Sequence, residues 1–209
     1  MIQTSNLSIK YGKRKINFPD LNLKSGDSLL ILGKSGSGKT SMLNLLGGLA
    51  SPSSGSVVVN YKNISSLTKN QLDQFRGSNI GFVFQTPHFI KSLTVQDNLL
   101  LTQYLVNETN YNHFERLLKK VGLFTRVNDK IYELSEGEKQ RISIVRSLIN
   151  QPKVILADEP TSALDDESCN DVISLLKELS KENNAVLIIV THDRRLKKKF
   201  TQFIDLDVI

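Results

Sequence analysis

The chain has 209 residues, 39% of them hydrophobic and 23% charged, with a formal charge of +6. That balance describes a globular chain long enough to bury a core, as one large domain or a domain with a subdomain. It contains no apolar run near the roughly 20 residues of a membrane-spanning helix, Met1 to Lys10 are too polar for a secretory signal, and a lone Cys169 excludes an internal disulfide and fits a reducing cytoplasm. The positive charge is spread widely and does not by itself favour DNA. Its densest cluster, Arg194, Arg195, Lys197, Lys198 and Lys199, reads as a solvated helix face, with an anionic lipid surface as the alternative.

In chain order, the first elements are short and alternating: Leu7-Ser8-Ile9, Ile16-Asn17-Phe18, Leu21-Asn22-Leu23 and Ser28 to Leu32. Period-two alternation with turns at Tyr11-Gly12 and Ser25-Gly26-Asp27 predicts strands, partly antiparallel. Tyr11 in its turn is either a surface tyrosine or a flat platform on which an adenine ring stacks. The apolar run Leu29 to Leu32 then meets Gly33-Lys34-Ser35-Gly36-Ser37-Gly38-Lys39-Thr40, and Met42, Leu45, Leu46 and Leu49 follow at helical spacing. Strand, glycine-rich loop and helix start make a phosphate-binding loop. Its glycines let the backbone approach an anion closely, successive N–H groups converge on it, and the helix N-terminus adds its positive end. Lys39 would reach the β- and γ-phosphates, and the Thr40 hydroxyl would ligate Mg²⁺.

Ser51 to Gly55 is a breaker cluster, Val57 to Val59 a strand, and Thr68 to Arg76 a short helix capped near Thr68. Ile80 to Phe84 predicts a buried strand ending in Gln85. Such strand ends are where ligand chemistry sits in parallel sheets. From Thr86 to Leu134 the pattern turns helical: Val95, Leu99, Leu100 and Tyr104, then Phe114, Leu117, Leu118 and Val121, with a stop at Gly122. This block, about 86–134, predicts an α-helical subdomain inserted into the main sheet. Ser135 with Glu138 predicts a capping box, and Ile142, Val145, Leu148 and Ile149 form the stripe behind it.

Val154 to Ala157 is a buried strand ending in Asp158-Glu159. Beside a phosphate loop, these carboxylates predict separate roles, Asp158 holding Mg²⁺ and Glu159 polarising the attacking water. A helix from about Asp166 to Lys181 and a strand from Ala185 to Val190 follow, the latter ending in Thr191-His192-Asp193. Four strand ends thus carry Gly33, Gln85, Asp158 with Glu159, and His192. The alternation of strands and helices implies an α/β fold with a mainly parallel sheet, right-handed crossovers and an N-terminal antiparallel β-subdomain.

Over essentially its whole length this order of motifs resembles the ATP-binding-cassette ATPases, whose core is a P-loop NTPase fold. GKSGSGKT at 33–40 is similar to their Walker A motif, Gln85 to the Q-loop glutamine and LSEGE at 134–138 to the signature. VILADEP at 154–160 resembles Walker B with its catalytic glutamate, SALD at 162–165 the D-loop, and His192 the switch histidine. The resemblance implies a single nucleotide-binding domain over 1–209 that hydrolyses ATP with Mg²⁺. It makes Glu159, His192 and Lys39 catalytic, and sets Gln85 beside Thr40 and Asp158 at the metal. It also implies a head-to-tail homodimer around two ATP, in which Ser135, Gly137 and Glu138 reach the partner's nucleotide and Asp165 lies at the dimer interface. Glu136 stands where glycine is usual, and Glu138 where glutamine is usual. A carboxylate near a γ-phosphate repels it, so the Glu136 side chain is expected to point into water.

Arg76-Gly77 followed by IGFVFQ, and LADEPTSALD, are similar to the lipoprotein-release, macrolide-export and cell-division group. That implies a peripheral protein on the cytoplasmic face of the inner membrane, driving a separate integral membrane subunit in export or extraction. The alternative within the group is transmembrane signalling without transport. A nucleic-acid-handling ATPase is disfavoured: Lys39 and Ser135 are 96 positions apart with no heptad array, there is one cassette, and no zinc-ligand cysteines exist.

Overall fold

A computed structural model describes residues 1–106, 110–162 and 164–208. The first strands are β1 (Ile2–Tyr11), β2 (Arg14–Asn17), β3 (Asn22–Leu23) and β4 (Ser28–Leu32), followed by helix α1 (Lys39–Leu46). Next come β5 (Ser54–Val59), β6 (Lys62–Asn63), α2 (Lys69–Asn79) and β7 (Ile80–Val83). Helices α3 (Val95–Tyr104), α4 (Tyr111–Lys120) and α5 (Glu136–Leu148) lead to β8 (Val154–Asp158). The chain closes with α6 (Asp166–Glu182), β9 (Val186–Thr191) and β10 (Gln202–Asp205).

Two sheets result. One is antiparallel, in the order β2-β1-β5-β6, with β3 also pairing β1. The other is β10-β4-β9-β8-β7, and all of its pairs are parallel. Successive side chains of a strand point to opposite faces, and here both faces are covered. Leu30, Leu32, Ile155, Ala157, Leu187 and Ile189 pack into a core with α3 to α6. Leu29, Ile31, Leu156, Ile188 and Val190 pack into a second core with α1 and the antiparallel sheet. Burial on both faces is why these strands read as unbroken apolar runs rather than alternating ones.

The α/β architecture follows the sequence expectation, with differences of detail. β1 is longer than Leu7 to Ile9, because its pairing with β5 shifts register between Ser5 and Ser8, where Asn6 has φ 49° and the alternation breaks. Phe18 and Leu21 are buried outside any strand. α1 ends at Leu46, so Leu49 falls past the helix and is 45% exposed. Tyr104, read as part of the α3 stripe, is 75% exposed at the helix end, whereas Val95 and Leu99 are fully buried. Gly122 ends α4 with φ 71°, and Thr68 with Gln71 caps α2.

The basic cluster 194–199 forms a 3-10 turn around buried Leu196, not an α-helix. Its two arginines are ion-paired, Arg194 with Asp205 and Asp207 and Arg195 with Asp193 and Asp166. Among the described residues no helix is long and apolar enough to cross a membrane. β7 runs so close under α5 that only glycine fits at Gly81, where a Cβ would lie 2.1 Å from the Ser147 carbonyl oxygen.

Candidate active site

The carboxyl ends of β4, β7, β8 and β9 open onto one cleft of about 940 Å³. The phosphate loop forms its floor. Gly36 and Gly38 have φ 80° and 102°, values that a side chain strains. Gly38 is the N-cap of α1, so the helix begins with its free N–H groups facing the cleft. Lys39 is 7% exposed, and its ammonium donates to the carbonyls of Gly33 at 2.7 Å and Lys34 at 3.0 Å. The loop thus folds around its own cation, which leaves a concave nest of backbone amides suited to an anion.

Asp158 and Glu159 differ in surroundings although adjacent. Asp158 Oδ1 is buried and has no hydrogen-bond partner. Burial pushes this carboxyl above its ordinary range, the Thr40 hydroxyl beside it pulls the other way, and the charge of Glu159 adds to the rise. An orphaned buried carboxylate oxygen next to a hydroxyl fits a hard cation. Among the described residues no cluster of three or more His, Cys, Asp or Glu could hold a metal. Thr40 and Asp158 therefore suit Mg²⁺, which keeps waters and takes its other ligands from phosphates.

Glu159 is instead fully engaged. Its Oε2 accepts from Thr191 Oγ1 at 2.7 Å, and its Oε1 accepts from the His192 N–H at 3.0 Å and pairs with His192 Nδ1 at 2.9 Å. Lys39 Nζ stands 3.9 Å from the same Oε1. The backbone at Glu159 has φ 45°, a left-handed conformation uncommon for a residue with a side chain, and its N–H donates to Val190 O at 2.9 Å. The strain aims the carboxylate back across β9 at the segment carrying His192.

Tyr11, Gly33, Lys34, Ser35, Gly36, Gly38, Lys39, Thr40, Gln85, Asp158, Glu159 and His192 all line this cleft. The Tyr11 ring is half exposed, and its hydroxyl lies 3.2 Å from Ser41 Oγ. Ser37 belongs to the loop, but its buried Oγ turns inward without a partner.

Ser135, Gly137 and Glu138 do not line the cleft of their own chain. They open α5, where the Ser135 N–H and hydroxyl both donate to Glu138 Oε2, at 2.8 Å and 2.9 Å. Those two bonds hold the Glu138 carboxyl below the usual range. Arg126 Nη1 donates to its other oxygen at 3.0 Å. Glu138 is therefore committed within the chain. The Glu136 side chain is 71% exposed and pairs with Lys139 at 2.8 Å, so it points into water as expected. Asp165 is the N-cap of α6, accepting from the N–H groups of Glu167 and Ser168. Ala163, inside the SALD stretch, lies outside the described residues.

Five further residues line the cleft that the sequence does not mark as site residues: Arg14, Ile16, Ser41, Arg194 and Asp207. Arg14 Nη2 donates to Gly36 O at 3.0 Å, and Asp207 Oδ1 accepts from the Lys34 N–H at 2.8 Å.

The ABC transporter family model matches residues 16–162. The chain is 37% identical over 208 residues to the lipoprotein-releasing system ATP-binding protein LolD of Buchnera aphidicola subsp. Schizaphis graminum, covering 95% of this chain and 90% of that one. It is 39% identical over 183 residues to the protein of that name from Legionella pneumophila strain Lens, covering 86% and 81%. Among solved structures it is similar to the dimeric post-hydrolysis state of the ATP-binding cassette MJ0796 bound to ADP and Pi. There the TM-score is 0.85 at 33% identity, over 98% of this chain and 94% of that one.

Proposed function

The chain belongs to the ABC transporter family, as its ATPase subunit, and from that premise we propose that it hydrolyses ATP to drive a membrane subunit that extracts or exports a lipoprotein. The observation that carries the chemistry is the convergence of the loop, Asp158, Glu159 and His192 on one cleft. The loop amides and Lys39 hold the β- and γ-phosphates, and the Tyr11 ring stacks on the adenine. Mg²⁺, when bound, neutralises charge on the phosphates; Thr40, Asp158 and Gln85 are the residues that would hold it. Glu159 orients and deprotonates the attacking water, while Thr191 and His192 fix its carboxylate. Ser135 and Gly137 stand off this cleft, which supports their serving the nucleotide of a second copy. Turning the Ser135 hydroxyl to a phosphate then requires it to leave Glu138.

A groove of about 340 Å³ between β7 and helices α3 and α5, lined by Phe84, His88, Leu105 and Arg146, is the surface for a cytoplasmic helix of the membrane subunit. It adjoins Gln85, so the partner's helix and the cleft share one hinge. The protein is then peripheral on the cytoplasmic face of the inner membrane.

The test is co-purification of a tagged Glu159→Gln chain from detergent-solubilised native membranes with Mg-ATP. The expected result is a stoichiometric multi-span membrane protein that raises the ATPase rate of the wild-type chain when both are reconstituted in vesicles. Recovery only with ribosomes or DNA, in a salt-sensitive manner, would overturn the transport reading and leave the ATP chemistry standing.

A further inference from the structure

We propose that Asp207, braced by Arg194, is a positioning residue for the phosphate loop that sets nucleotide affinity and not the hydrolytic step; this rests on the ATP-binding reading of that loop. Asp207 Oδ1 accepts the Lys34 N–H at 2.8 Å, a contact between residues 173 positions apart. Its Oδ2 accepts from Arg194 Nη2 at 3.1 Å, and Arg194 Nη1 donates to Asp205 Oδ2 at 2.9 Å. The Asp207 N–H donates to Asp205 Oδ1 at 3.2 Å. The two carboxylate side chains are only 15% and 14% exposed.

Strand register delivers this group to the loop. Asp205 pairs with Leu32, the last residue of β4, and the Leu206 N–H continues the ladder to Leu32 O at 2.8 Å. Asp207 therefore arrives where β4 gives way to Gly33 and Lys34. Both peptide groups flanking the Lys34 Cα are held, the N–H by Asp207 and the carbonyl by Lys39 Nζ at 3.0 Å. Lys39 must leave that carbonyl when it turns to a phosphate. The Asp207 contact has no such competitor, so it keeps the mouth of the loop in place while the nucleotide enters. Arg194 stands two positions after His192, so one guanidinium joins the base of the loop to the segment that holds Glu159.

Charge alone argues the other way. The Lys34 amide and Arg194 hold the Asp207 carboxyl below its usual range, so it is an anion at the rim of an anion site. If it acted only by its charge, removing it would tighten nucleotide binding. If it positions the loop, removing it weakens binding. The two roles predict opposite signs.

The test measures the affinity of the full chain for mant-ADP and mant-ATP, together with steady-state ATPase kinetics, in Asp207→Ala, Asp207→Asn, Arg194→Ala and the Asp207→Ala/Arg194→Ala pair. Loss of one charge-assisted hydrogen bond predicts a rise of about tenfold in Kd and KM for Asp207→Ala, with kcat within about twofold. Asparagine keeps an acceptor for the Lys34 N–H and restores part of the affinity. Arg194→Ala shows a smaller rise, and the double variant is no worse than Asp207→Ala, because the arginine acts through the carboxylate. A merely structural role would lower the melting temperature and leave KM unchanged. Equal or tighter nucleotide binding by a folded Asp207→Ala overturns the proposal, as does a fall in kcat at unchanged KM. Where Asp207→Ala does not fold, Asp207→Asn and Arg194→Ala decide by the same measure. A wild-type chain that binds no mant-nucleotide overturns instead the reading of the loop itself.

Discussion

Replacing Glu159 by glutamine removes a charge and almost no volume. The carboxylate now takes three donors: Thr191 Oγ1, the His192 N–H and His192 Nδ1. A glutamine oxygen turned to His192 keeps the last two, and its amide then faces Thr191 Oγ1. That hydroxyl already accepts the Asp193 N–H at 3.0 Å and has a second lone pair for the new donor. The folded state is therefore expected to lose no more than about 1 kcal/mol, the worth of one neutral hydrogen bond. Hydrolysis is different, because the amide cannot take a proton from water. A positioned general base contributes roughly 10²–10⁴-fold, so kcat is expected to fall by that factor. At 1.36 kcal/mol per decade the barrier rises by about 3–5 kcal/mol. The assay is phosphate release at saturating Mg-ATP, with mant-ATP affinity and size-exclusion chromatography on the same sample. ATP binding is expected to persist, and a dimer to accumulate that wild type populates only briefly. A glutamine variant that melts like wild type and turns over within about tenfold of it would refute Glu159 as the base.

Other residues give equally direct tests. Glu136→Gly is expected to leave ATPase activity within about threefold of wild type, since the side chain points into solvent and only Lys139 loses a partner; a dead variant would give Glu136 a part in the reaction. Gly81→Ala sets a methyl group 2.1 Å from a backbone oxygen, and denaturant titration is expected to show a loss of about 1–3 kcal/mol or more. His113 is buried between α4 and α5, its Nε2 donating to Leu148 O at 3.3 Å and its Nδ1 facing Arg116. Burial lowers its proton affinity, so as pH falls below about 6.5 the unfolded chain takes up the proton first and stability drops. Denaturation midpoints are expected to fall between pH 7.5 and 5.5, and His113→Gln to flatten that slope.

Local chemistry made much of this molecule legible. A capping box needs only Ser135 and Glu138 three positions apart, and both partners form it. Strands buried on both faces announce themselves as apolar runs, so the sequence pattern marks the ends carrying Gly33, Asp158 and His192. What escaped was long-range or depended on where an element stops. Arg14 and Asp207 have no pattern around them; what matters is that β2 begins and β10 ends beside the loop, which no local window contains. Leu49 and Tyr104 fit the helical period yet lie exposed, because periodicity says which face a residue would take and not where the helix ends. The capping pattern accounts for one oxygen of Glu138, whereas the other is claimed by Arg126, twelve positions away and outside that pattern.

The pairing of β10 with β4 also bears on how the chain is made. Ribosomes deliver residues in order, and domains begin folding as they emerge. β4 is among the first strands synthesised, and β9 can flank it on one side once residue 191 is out. Its other side stays bare until residues 202–205 appear. Through that interval Leu29 to Leu32 form an apolar strand with an open rim, the kind of edge on which nascent chains pair with one another. A message broken just before β10 would thus yield a protein that keeps every motif of the cleft and aggregates through the strand that carries its phosphate loop.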